Sequence, residues 1–167
     1  DKIESFFKIK IRKDDSEIAF FDQDSFRYSE GFNFGTNIIY KDIEKICSIK
    51  YEIIENFLLE NLDNNKNFDD NEFLEKKYFS EGNYRKIRKK LIIDIAKARI
   101  EEIISIILDK NINLKSFKNK TEKIFINIQN KVIFDFFKED FRIYISKNNN
   151  FDPHFIDDFH INNSFIN

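Results

Sequence analysis

The stretch from Asn83 to Asn111 constrains the fold more than any other part of this chain. Its centre, residues 91–111, reads LIIDIAKARIEEIISIILDKN. On a helical wheel at about 100° per residue, Ile92, Ile95, Ala96, Ile100, Ile103, Ile106 and Ile107 share one side. Asp94, Lys97, Glu101 and Asp109 fall mostly on the other. The pattern predicts one long amphipathic helix. Arg99 breaks it by projecting from inside the apolar arc. A guanidinium buried there without a partner costs on the order of several kcal/mol, so it must reach an acceptor or water. Glu102, three residues on, is one local partner. Two readings stand: a structural ion pair at the rim of the core, or an arginine facing a binding cleft.

With 167 residues the chain is long enough for one domain with a real core, or for two small lobes. It opens on Asp1 and contains no Met, which predicts a piece of something longer. The 28 basic and 30 acidic side chains nearly cancel, so no strong electrostatic pull toward nucleic acid is expected. The abundance of Phe, Ile, Lys and Asn reads as the coding drift of an AT-rich genome. Cys47 is the only cysteine, which excludes an intrachain disulfide and fits a reducing compartment. No run is long and apolar enough to span a membrane, and no signal peptide is visible.

The first third reads as strands. Phe6, Phe7, Ile9 and Ile11 lie in a short extended run, and residues 17–22 meet residues 25–28 across a tight Gln23-Asp24 turn as a hairpin. Gly31 and Gly35 flank Phe32-Asn33-Phe34. Each glycine either marks a bulge or strand end, or lets another backbone or a phosphate come close. Helical signals follow. Ile43, Ile46 and Cys47 give one short apolar face from about Lys41. Ser48 is placed to cap a second helix carrying Ile53, Ile54, Phe57 and Leu58.

Residues 61–71 form an Asn/Asp-rich loop. It imitates a calcium loop through Asp63, Asn65, Asn67, Asp69 and Asn71. Phe68 stands where Gly is required and Leu74 where a bidentate Glu is required, so the motif is rejected. A basic cluster over residues 85–90 opens the long helix, either as a solvated face or as a surface for an acidic partner or anionic lipid. Residues 123–128 alternate like a half-buried strand. Residues 132–136 and 141–145 read as further short strands. In the tail, His154 and His160 with Asp152, Asp157 and Asp158 match no compact metal motif. The tail is acidic and is no basic amphipathic anchor.

The order of hairpin, glycine element, helices, long helix and strand carries three specific segments. Residues 16–21 and 26–28 make the hairpin. Residues 35–43 read GTNIIYKDI, and residues 95–103 read IAKARIEEI. Together they resemble the second half of the FtsA family of bacterial actin-like cell-division proteins, over roughly residues 10–130. The glycine segment is similar to that family's GGNHxTNDI and the helix to its IIEARVEEI, which aligns Arg99 with the family's arginine. The resemblance implies the second lobe of an actin-like, ribonuclease H-like ATPase-type α/β fold, with a small mixed sheet and a helical subdomain. It divides the chain into strands and hairpin (1–36), helical subdomain (37–112) and return strands with tail (113–167).

The same resemblance implies a nucleotide cleft at Ser16, Gly35 and Asn37. Three departures bear on it. The family's phosphate loop, DIGGGTT, is matched by Lys10-Ile-Arg-Lys-Asp-Asp-Ser16, with Lys10 in place of an acidic residue that organises magnesium. Arg12, Lys13 and Asp14 replace three glycines, and side chains there block the backbone approach of a phosphate. Thr36 replaces a second glycine, and Asn127-Ile-Gln-Asn130 stands where a glycine-rich adenosine loop is expected. The cleft is therefore expected to be vestigial, with no catalytic residue, metal or cofactor. The alternative is an ATPase that keeps a divergent site for ATP and magnesium. As a scaffold of this family, the chain would dock the tail of the tubulin-like ring protein FtsZ on its helical subdomain. Arg99 would pair with an acidic group of the tail, and Lys90 would help. Self-association into filaments and work at the cytoplasmic face of the inner membrane, at the division site, complete what the resemblance implies. A stand-alone binding module is the third reading.

Overall fold

A computed structural model of the protein describes residues 4–63, 67–79 and 82–157. Three strands come first: β1 (Phe6–Ile11), β2 (Ser16–Asp22) and β3 (Ser25–Phe32). β1 pairs antiparallel with β2, and β2 antiparallel with β3. The β2–β3 turn is the expected one. Gln23 and Asp24 both take positive φ, 51° and 58°, the geometry that matches the twist of a tight hairpin. Gly31 lies in regular pairing opposite Glu17, so it marks no bulge.

The helical region begins with α1 (Asn37–Cys47) and α2 (Tyr51–Glu60). Ser48 does not cap α2. It takes a left-handed conformation, φ 51° and ψ 43°, and ends α1, while Lys50 precedes the first turn of α2. The long helix is shorter than expected at its start. α3 spans Lys89–Ile104 and runs on through a wider π turn, Ser105–Asp109. Residues 83–88 are not helical. Arg88 pairs with Phe73 in a β-bridge, the Leu74 N–H donates to the Ile87 carbonyl, and Ile87 is buried. Arg85, Lys86 and Arg88 therefore precede the helix, while Lys89 and Lys90 stand in its first turn, where they oppose the helix dipole and pair with Glu75 and Asp70.

After the short helix α4 (Lys115–Lys118) comes β4 (Lys123–Ile128), as expected. The two strands expected over 132–136 and 141–145 are instead one helix, α5 (Lys131–Asn149). β5 (Asp152–Phe155) closes the sheet. After residue 112 the chain thus places the helices α4 and α5 beside the strands β4 and β5, where return strands and a tail were expected. His160 and Asp158 lie outside the described residues, as does Asn65 of the rejected calcium loop. His154 faces Asp152 at 2.9 Å.

The sheet order is β3-β2-β1-β4-β5, with β4 parallel to both β1 and β5. Phe7, Ile9, Ile11, Ile18, Phe20, Ile124, Ile126 and Ile128 are buried on one face. They join Ile43, Ile92, Ala96, Ile100, Phe137 and Phe141 of the helices in a single core. By alternation, Phe6, Lys8, Phe21 and Phe125 occupy the other face and are only half-buried. No described helix is long and apolar enough to cross a membrane.

Candidate functional site

β1, β3 and β4 run in one direction, so their carboxyl ends share an edge of the sheet. α1 and α5 begin at that edge. Open sheets of this kind take ligands outside the carboxyl ends of their strands, where helix N-termini offer unpaired N–H groups. The edge is tied together from several sides. The Gln129 N–H donates to the Ile11 carbonyl at 2.9 Å, joining the ends of β4 and β1. The Asn130 side chain caps α5 by accepting from the Ile133 N–H at 3.1 Å.

The β1–β2 turn closes onto the start of α1. The Arg12 N–H donates to the Asp15 carbonyl at 2.9 Å, which tightens the turn. The Thr36 N–H donates to the Arg12 carbonyl at 2.9 Å and the Asn37 N–H to the Lys13 carbonyl at 2.8 Å. The Asn37 side-chain amide donates to Asp14 Oδ1 at 2.8 Å, and the Ser16 hydroxyl to the Phe34 carbonyl at 2.7 Å. Gly35 makes this closure possible. A Cβ there would stand 2.6 Å from the Lys13 carbonyl oxygen and closer still to that of Arg12. The Arg12 guanidinium pairs with Asp15 and reaches Glu17 at 3.6 Å.

Ser16, Gly35 and Asn37 are therefore brought together, as a latch between a strand turn and a helix start. Asp14 and Thr36 belong to the same latch, and only Thr36 carries a hint in the sequence, as a Gly–Thr pair before an apolar run. The residues present do not fit a phosphate cradle. The leading N–H groups of α1 face protein carbonyls, and the turn carries the Arg12, Lys13 and Asp14 side chains. Lys10 stands in β1 opposite Glu17 and Asn127, where a magnesium site would want a carboxylate.

Beside the latch lies a shallow depression of about 390 Å³ lined by Lys13, Asn37, Tyr40, Lys41, Glu44 and Tyr51. The Tyr40 ring packs 4.3 Å from that of Tyr51. Burial, with Tyr51 and Glu55 near by, pushes the Tyr40 phenol far above its ordinary range. Asn127 is buried, and its amide donates to the Ile156 carbonyl at 3.0 Å.

The second candidate region is the outer side of α3. Arg99 Nε donates to Asp42 on α1, and its terminal nitrogen donates to Glu102 at 2.6 Å. The side chain is 25% exposed. Glu102 is the partner legible from the spacing. Asp42, 57 residues away, is not. A groove of about 380 Å³ runs beside it, lined by Asp42, Ile46, Asp94, Ile95, Ala98 and Glu102 together with Arg99. Lys90 pairs with Asp70 at 3.1 Å. Nine positions along a helix amount to about two and a half turns, so Lys90 and Arg99 leave opposite sides of α3. The structure does not bring these two basic residues together.

No family model matches the sequence, and no curated protein matches it. Solved structures do match. Ethanolamine utilization protein EutJ from Carboxydothermus hydrogenoformans has a TM-score of 0.57 at 10% identity, covering 91% of this chain and 45% of that one. The psk41 ParM protein in its apo form has a TM-score of 0.55 at 12% identity, covering 96% and 38%. Bacillus thuringiensis ParM with AMPPNP has a TM-score of 0.56 at 14% identity, covering 94% and 43%. The fold is that of actin-like ATPases. The chain spans less than half the length of each of these proteins. At such identities the likeness is one of fold alone.

Proposed function

We propose that this chain is one lobe of an actin-like scaffold that works through protein contacts and does not hydrolyse ATP. The observation that carries this reading is the latch. The Thr36 and Asn37 N–H groups donate to the Arg12 and Lys13 carbonyls, so the helix start that would meet a phosphate meets protein instead. Bacillus thuringiensis ParM was solved with AMPPNP, which makes nucleotide the ligand to test. Calorimetric titration of the full-length protein with magnesium-ATP is expected to give no binding up to about millimolar nucleotide, a free energy near −4 kcal/mol. A micromolar dissociation constant overturns the reading in favour of an ATPase with a divergent site.

The finer form of this reading is a division scaffold of the FtsA type at the cytoplasmic face of the inner membrane. Its partner would be the tail of FtsZ, docked on the helical subdomain with Arg99 and Lys90 as contacts. A tail carboxylate would have to displace Glu102 from Arg99, because Asp42 holds the other side of the guanidinium. Titration with an FtsZ tail peptide tests it. Arg99→Glu is expected to weaken binding by about 1.5–3 kcal/mol, the scale of a charge-assisted hydrogen bond. Equal binding by both proteins removes Arg99 from the site and leaves the scaffold reading standing.

A further inference from the structure

We draw no further inference here: the strongest candidate, the aromatic outer face of the sheet with Phe6, Phe21, Phe26 and Phe125, is an apolar face turned away from the described helices, and nothing in the structure shows what covers it.

Discussion

Gly35 holds the carboxyl edge of the sheet closed through the absence of one methyl group. Its added Cβ would overlap two carbonyl oxygens that are themselves fixed by hydrogen bonds from Thr36 and Asn37. Gly35→Ala is therefore expected to destabilise the chain by about 2–4 kcal/mol in urea unfolding, the scale of an overpacked backbone contact. Gly82→Ala, where an added Cβ meets nothing within 4 Å, is the control and should change little. Arg99 is the other residue whose role turns on its surroundings. The helical wheel showed that it needed compensation, and the i+3 spacing named Glu102. Asp42 was invisible because nothing in a linear pattern aligns α1 with α3. A double-mutant cycle of Arg99→Ala with Asp42→Ala is expected to give a coupling of about 1 kcal/mol with the fold intact, since both side chains retain some solvent. A coupling near zero would make the pair incidental.

Among the elements, α5 shows how an apolar pattern misleads. The runs 132–136 and 141–145 are rich in Phe, Ile and Val, and each alone passes for a strand. Read continuously, the buried residues Ile133, Phe136, Phe137, Phe141 and Ile145 recur at helical spacing. Lys138-Glu139-Asp140 between them is the polar side of a helix, with no Gly or Pro to break it. Asn130 caps α5, a role hidden by the strand reading, and Asn130→Ala is expected to cost about 1 kcal/mol in thermal or urea unfolding. The segment that follows the π turn is joined to the edge strand β3 through Glu30, which accepts from Asn111 at 2.8 Å and from Asn113 at 3.5 Å. Burial works against its charged form, but donors from Asn111, Tyr28 and Asn113 outweigh it and hold the carboxyl below its ordinary range. A lowered carboxyl contributes stability that is full above the unfolded value and lost as pH falls through the folded one. The stability advantage of the native chain over Glu30→Gln should therefore shrink between about pH 6 and pH 3. A difference that stays flat across that window would assign the cluster no such linkage.

For the whole molecule, local patterns and connectivity contributed differently. The hairpin, the strand at 123–128 and the amphipathic stretch were each legible from their periods. The resemblance implied a mixed sheet, but that β4 lies parallel to β1, across more than a hundred residues, came only from the structure, because the pairing of distant strands leaves no periodic trace. The same topology sends the described helices to one face of the sheet. The other face carries a chain of aromatic contacts that no alternation rule announced. Phe6 stacks on Phe21 at 4.9 Å and meets Phe125 edge-on at 5.3 Å, while Phe21 meets Phe26 at 5.9 Å. Phe26 is 60% exposed, so its ring lends little to the core and much to the apolar surface. Phe26→Asp is expected to leave unfolding free energy within about 0.5–1 kcal/mol of the native value, as a change outside the core should. The same variant should bind less of an apolar fluorescent dye and stay soluble at higher concentration. The two readouts separate the possibilities cleanly. Unchanged dye binding would mean that this face is not the chain's main exposed apolar surface. A loss of several kcal/mol would mean that Phe26 belongs to a second core on this side of the sheet, and that the fold needs both faces covered to hold.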